Sequence, residues 1–395
     1  MKHNLLYTMR FFYRIFLLVF FGLLVLGQFQ KIYVTPIISF YLHEIFIAIG
    51  GIGSWIFYPK DVFAAYKRLP FFTVLILFSV VAGISVYSAG FRGLPIFIGL
   101  LYLFRVAMYT SLFPLITIGI QKRYVTRTDV IYIAVIFVYL LAMFGIVQYV
   151  IFPDLRWLTL LGWDDHYFRL VSTLLDPPFP AALFTLVLLG VYPKLHRLPI
   201  IMRLGWCVTF VALLFTYSRA GYASYIIGLI VYGFMKRERK ILIVLALFTV
   251  GIFFLPRPAS EGARLERTVS VQARNTAITS TLQTFTLRTW IIGDGWYLSQ
   301  SNRGFTQNYI PSHSSAPGNS FVTVLQSTGI IGLSLFGVFL LQLLWFARSN
   351  TIGISMIVSI LIGSLFNNLI FYPWVMVAFW TAIGIVYARR YGIHT

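Results

Sequence analysis

The chain has 395 residues and a formal net charge of +20, yet only 11% of its residues are charged, against 59% hydrophobic and 18% aromatic. A soluble domain carries roughly 25% charged residues. So little charge cannot cover a water-facing surface, and the chain reads as a polytopic membrane protein. Its single cysteine, Cys207, lies in an apolar run and excludes both a disulfide framework and a cysteine metal site within one chain.

A membrane helix needs roughly 20 mostly apolar residues. About twelve such stretches are predicted, near 12–30, 34–58, 70–89, 95–121, 129–151, 179–193, 200–217, 220–235, 241–255, 319–346, 353–371 and 373–388. The expected fold class is all-α, a polytopic transmembrane bundle with a long extracytoplasmic helical loop over its outer face. The first stretch follows a basic start, Lys2 to Arg14, as in a signal peptide. It lacks an A-x-A-like cleavage site and reads as a retained helix. The second stretch holds His43 and Glu44, and the fourth holds Arg105. Ionisable groups inside a membrane are functional candidates by default, but Glu44 and Arg105 are equally plausible as a helix-packing pair. A short outer loop, 152–178, carries Asp164-Asp165-His166, Arg169 and Asp176. Arg219 stands alone between the seventh and eighth stretches. It reads either as a topological anchor or as a fixed cation facing a cavity, with small Ala220 and Gly221 letting an anionic group approach. The long loop, 256–318, has helix-like apolar spacing over 262–287, and one or two helices are expected there. A continuous helix would bring Arg274 and Arg288 near one face, since fourteen residues make about four turns. The organisation is thus nine spans in 1–255, the loop 256–318, and three spans with a cytoplasmic tail in 319–395.

With the N-terminus inside, nineteen basic residues fall on cytoplasmic segments, five on short outer loops and six on the long loop, which counts little. Both termini are therefore expected in the cytoplasm. Most of the net charge is topogenic, beside anionic headgroups, and does not point to nucleic acid. His313 precedes the tenth stretch in Pro311-Ser-His-Ser-Ser-Ala-Pro-Gly-Asn319. It reads as a proton-moving group or as an exposed loop histidine. Three adjacent residues such as Asp164-Asp165-His166 cannot all point one way, which argues against a metal there. No Walker loop, dinucleotide fingerprint or H-E-x-x-H occurs.

Three pieces resemble the O-antigen ligase and O-antigen polymerase superfamily of bacterial envelope glycosyltransferases. They are Thr216-Tyr-Ser-Arg-Ala-Gly221; Arg274 with the later turn Ile292-Gly-Asp-Gly-Trp296; and His313 to Asn319 running into Leu325-Gln-Ser-Thr-Gly-Ile-Ile-Gly332. Asn319 lies six residues beyond His313, whereas the family often has histidine directly before asparagine.

The resemblance implies an inner-membrane enzyme of lipopolysaccharide or exopolysaccharide assembly. It would move a glycan from undecaprenyl diphosphate to an acceptor sugar hydroxyl, either on lipid A–core (a ligase) or on a growing chain (a polymerase). The site would face the periplasm or exterior. The implied catalytic groups are Arg219 and Arg274, stabilising the leaving diphosphate, and His313, acting on the acceptor hydroxyl. Arg288, Arg169, Arg105 and Asn319 would bind diphosphate or glycan. The expected reaction inverts the anomeric centre and needs no metal or other cofactor. A transporter or flippase of the same lipid-linked glycan is the rival reading. It is disfavoured because related halves and midplane sites are not evident in the sequence.

Overall fold

A computed structural model describes residues 2–34, 38–90, 94–161, 163–256, 258, 265, 269–296 and 318–391. The protein is 79% helical. In chain order the helices are α1 (Lys2–Val25), α2 (Leu42–Phe57), α3 (Pro59–Lys67), α4 (Phe72–Ser88), α5 (Leu94–Thr110), α6 (Leu112–Gln121), α7 (Arg127–Ile151) and α8 (Pro178–Val191). They continue with α9 (Ile200–Phe215), α10 (Arg219–Lys236), α11 (Ile241–Phe253), α12 (Val269–Gln283), α13 (Leu287–Ile291), α14 (Ser320–Ala347), α15 (Thr351–Ser364) and α16 (Pro373–Tyr391). The expected all-α transmembrane bundle is what forms, and each of the twelve predicted stretches contains a helix.

The span count is lower than twelve when length and composition alone decide it. Among the described residues five helical stretches qualify: Tyr7–Val25, Ile96–Gln121, Arg127–Ile151, Pro178–Arg197 and Ser320–Ala347. A sixth qualifies if α3 and α4, bent by 93°, are taken together. The predicted stretch 34–58 is shortened because a hairpin precedes it. Lys31–Tyr33 (β1) pairs antiparallel with Ser39–Tyr41 (β2), and the helix begins only at Leu42. The stretch 95–121 is interrupted between Thr110 and Leu112. Over 262–287, where one or two helices are expected, the described residues hold α12 and the start of α13, so the continuous helix that would align Arg274 with Arg288 does not form. Thr286 caps a new helix by accepting from the Thr289 N–H at 3.2 Å, and α12 ends at Gln283.

Polar caps set where helices start, because the first N–H groups of a helix lack internal partners. Thr126 and Asp129 form a reciprocal capping box on α7. Ser218 Oγ accepts from Gly221 at the start of α10, and Asn350 Oδ1 accepts from Gly353 at the start of α15, each at 3.2 Å. In lipid, packing relies on small residues that bring backbones close, helped by hydrogen bonds between helices. The α10–α15 contact follows that rule. Ser355 Oγ donates to the Gly228 carbonyl at 2.6 Å and Ser359 Oγ to the Ser224 carbonyl at 2.9 Å. Outward side chains such as Leu242, Leu247 and Phe253 are exposed for lipid.

The bundle has two chemically different ends. At one, the basic end, Arg14 pairs with Asp129 at 3.0 Å, Lys122 with Asp61 at 2.9 Å, and the Arg10 Nε donates to the Arg123 carbonyl at 2.9 Å. At the other, the loop end, the close of α7 meets the 152–177 loop, the close of α9 meets the start of α10, and the close of α15 meets the start of α14. There the turn Gly293-Asp-Gly295 docks into a break in α14. Gly329 has φ +64° inside that helix, and Gly293 and Gly295 have φ +89° and +97°. Side chains at Gly293 or Gly329 would strike opposing backbone, at Ser327–Thr328 and Ile291–Ile292 respectively. The Asp294 N–H donates to the Gln326 carbonyl at 2.8 Å, and the Gly295 N–H to Ser85 Oγ at 2.9 Å. This seam fixes α13 against α4 and α14.

Candidate active site

The 152–177 loop folds back on itself at the loop end. The Leu155 N–H donates to the His166 carbonyl and the Phe168 N–H to the Pro153 carbonyl, both at 2.8 Å. Gln148 Oε1, at the close of α7, accepts from Val171 at 2.9 Å, and the Leu170 N–H donates to the Phe215 carbonyl at 2.9 Å. Phe168, Ser172, Leu175 and Tyr217 all have positive φ, between 50° and 61°. Such backbone in a non-glycine residue costs on the order of 1–3 kcal/mol and tends to cluster at functional sites. Phe168 precedes Arg169, Leu175 precedes Asp176, and Tyr217 lies two residues before Arg219. Two further non-glycine residues with positive φ among those described, Arg123 and Arg237, lie away from these ionisable groups.

Those groups converge. Arg169 Nε donates to the Thr216 carbonyl at 3.4 Å. Arg219, the first residue of α10, donates from Nη1 to the Leu265 carbonyl at 3.2 Å. Arg274, on α12, donates from Nη2 to Asn367 Oδ1 at 3.4 Å. Its Nε lies 3.6 Å from where a Cβ on Gly318 would stand. His166, buried, has Nε2 3.9 Å from Asp176 Oδ1. Neither Arg169 nor Arg274 closes a contact ion pair with a described acid. They feel the carboxylates across space.

The electrostatics record that arrangement. Burial pushes Arg169 down to about 10, Arg274 adds to the fall, and Asp176 opposes it. Burial also lowers Arg274, with Arg219 adding repulsion and Asp176 and Asp164 opposing it. Asp176 is pushed up to about 7, first by burial and then by Asp164, against the pull of Arg169 and Arg274. Asp164 keeps contact with solvent, but crowding around its carboxyl and the neighbouring Asp165 raise it too. Arg274 stands between Arg169 and Arg219 in this repulsion, and an anion beside it would relieve both the repulsion and the cost of burying the guanidinium groups of Arg169 and Arg274.

The predicted residues divide on this geometry. Arg169, Arg219 and Arg274 come together. Asn319 stands next to Gly318 and caps α14, accepting from Phe321 and Val322 at 2.8 and 3.2 Å while its Nδ2 donates to the Leu365 carbonyl at 3.0 Å. Arg288 stands apart. With the helix broken at 284–286 it does not share a face with Arg274. It is exposed on α13, with Nη2 3.5 Å from Ser88 Oγ. Arg105 belongs to a separate buried network, its Nε 2.8 Å from Glu44 Oε1 and its Nη2 donating to the Ser39 carbonyl at 2.5 Å. His313 lies outside the described residues. Among the described residues no group of three or more His, Cys, Asp or Glu is placed to hold a metal ion. Asp176 and Asn367 are the site groups that sequence reasoning did not assign. The only available signal was an acid on the outer side, and nothing in it pointed to α12.

Residues 204–337 match the family model described as O-antigen ligase. The match supports the resemblance to the O-antigen ligase and polymerase superfamily drawn from the three motifs. It begins in α9 and ends within α14, and so takes in Arg219, Arg274, Arg288, His313, Asn319 and the Gly293–Gly329 seam. Arg169 and Asp176 lie outside the matched stretch and meet it only in the folded protein. No curated protein matches the chain.

Proposed function

We propose that this protein is a glycosyltransferase of the inner membrane that moves a glycan from undecaprenyl diphosphate to a sugar hydroxyl at the loop end, facing the periplasm or exterior. The observation that carries the proposal is the convergence of Arg169, Arg219 and Arg274 from three separate parts of the chain, near enough that Arg274 feels one of the other guanidinium groups on each side. A diphosphate leaving group gains negative charge as its bond to the anomeric carbon breaks, and preorganised cations stabilise that charge in the transition state. The acceptor oxygen forms the new bond to the anomeric carbon. The electron pair of the broken bond leaves with undecaprenyl diphosphate, and the hydroxyl proton goes to a base. A single displacement inverts the anomeric centre.

His313 is assigned as that base. Support comes from the chain re-entering the described structure at Gly318, five residues later, beside Arg274. Asp176, near 7, is the second group able to take a proton at neutral pH. The chemistry routes no step through a metal, since the arginines fill the role of diphosphate partner.

The test is the length and carrier of surface glycan in cells lacking the gene, then complemented with wild type, Arg274→Ala or His313→Ala. Long glycan left on undecaprenyl diphosphate in the outer leaflet identifies a ligase, and single units on the final acceptor identify a polymerase. Short lipid-linked units trapped in the inner leaflet would replace the proposal with a transporter. Full rescue by Arg274→Ala would remove the arginine cluster from the mechanism, and full rescue by His313→Ala would leave Asp176 as the base.

A further inference from the structure

A second feature lies away from the arginine cluster. A cavity of about 1570 Å³ runs along α16, walled by α4, α5, α7, α8, α14 and α15. It extends from Phe371 and Trp374, near the loop end, to Arg389 and Arg390 at the last turn of α16. At about 1.5 Å per residue, the 19 residues of that helix span about 28 Å. The walls are apolar, with Phe78, Phe339 and Met356 among them. Ligand pockets for small molecules are commonly about 300–1,000 Å³, so this one is larger and much elongated. Water gains little in an apolar cavity with few polar partners.

The charge is confined to one end. Arg127, Lys194, Arg389 and Arg390 line the cavity and are exposed, and among the described residues no acidic side chain lines it. The described acids nearby are engaged elsewhere. Asp129 is held by Arg14 and the Thr126 cap, and Glu238 accepts from Tyr192 at 3.3 Å. A long apolar slot with a cationic mouth at the membrane surface matches a lipid with apolar chains and an anionic headgroup.

We propose that this cavity binds one anionic glycerophospholipid from the leaflet at the basic end, with its acyl chains along α16 and its phosphate on Arg127, Lys194, Arg389 and Arg390. The cations that line the slot stand at the end opposite the proposed transfer site, so the headgroup placed here is not the carrier's diphosphate. The site is independent of the proposed transfer reaction.

The experiment is native mass spectrometry of the full chain released from detergent, offered phosphatidylglycerol, cardiolipin, phosphatidylethanolamine or undecaprenyl phosphate. Three variants are compared with wild type. One combines Arg127→Gln, Lys194→Gln, Arg389→Gln and Arg390→Gln. A control carries Arg197→Gln, Lys236→Gln, Arg237→Gln and Lys240→Gln, basic residues that do not line the cavity. A third, Val187→Trp, fills the cavity and leaves every charge in place. Wild type and the control should retain an anionic phospholipid at least tenfold better than phosphatidylethanolamine. The rim variant and Val187→Trp should lose that preference. Equal retention of neutral lipid, an equal loss in the control, or displacement by undecaprenyl phosphate would each overturn the proposal. If the rim variant fails to fold, unchanged retention by Val187→Trp overturns it by itself.

Discussion

Two groups of charged residues leave water in this protein, and they are resolved in opposite ways. In the first, Arg105 and Glu44 close a pair at 2.8 Å. The Tyr109 hydroxyl donates to Glu44 Oε1 at 3.0 Å and the Tyr41 N–H to Glu44 Oε2 at 3.0 Å. His43 lies between Gln30 Oε1 and the Tyr109 hydroxyl, at 3.0 and 2.8 Å. Its polar groups meet one another, and the β1–β2 hairpin is tied to α2 and α5. In the second, Arg169 and Arg274 face Asp164 and Asp176 across space, and burial shifts Arg169, Arg274 and Asp176 toward neutrality. A buried charge is stable only when paired or hydrogen-bonded. The first network meets that condition internally and is structural. In the second, Arg169 and Arg274 close no contact ion pair with a described acid, and the proposed function assigns that place to an anionic substrate. Burial of an ionisable group therefore does not by itself separate the two arrangements, but closure of the ion pair does.

The largest expected effect breaks the closed network. Removing one partner of a buried pair costs roughly 3–5 kcal/mol. Glu44→Ala is expected to lower thermal stability in detergent by that amount while transfer per folded molecule stays near wild type. Transfer lost with stability intact would move Arg105 into the site. Next, Arg274→Ala should cut glycan transfer by about 10²–10³-fold, the scale for losing one group that stabilises developing charge, with little change in melting. A large loss of melting temperature instead would make Arg274 a structural residue like Arg105.

Gly293→Ala tests the seam that holds α13. It is expected to destabilise the protein by about 1–3 kcal/mol through its positive φ and the clash with Ser327–Thr328. Unaltered melting would mean that the seam does not fix α13 in place.

The pH response sharpens the contrast further. Asp176 is near 7 in the folded protein against an ordinary 3.8. The native state holds the extra proton between those values. This contribution to stability is complete below the unfolded value and disappears as pH rises through about 7. Melting of the wild type should therefore fall from pH 5 to pH 8, and Asp176→Asn should flatten the curve. Parallel curves would place Asp176 outside the charge cluster. The smallest effect is expected for Arg288→Ala, a change in transfer of less than about threefold. A loss as deep as that of Arg274→Ala would bring α13 into the transfer site.

Much of the architecture was legible in the chain because hydropathy is a local property. Each predicted stretch contains a helix, and the motif residues Ser218 and Asn319 cap α10 and α14. Boundaries failed where local hydrogen bonding beat periodicity. The hairpin of 31–33 with 39–41 shortened the second stretch, and the Thr286 cap separates α12 from α13, so Arg274 and Arg288 share no continuous helix. Of the site residues, Arg219 was legible as a lone cation between apolar runs, and Arg274 through its motif. Asp176 was visible as a residue, but not as a member of the cluster.

The sequence by itself determined the solvent, the helices and the side preference of the basic residues, since each follows from composition within a few turns. Only the tertiary structure decided which charges meet. Arg169, Arg219 and Arg274 lie on a loop and two separate helices, and Arg105 finds Glu44 61 residues away. Coulomb interaction depends on distance and local dielectric, and neither exists for distant residues until the chain is packed.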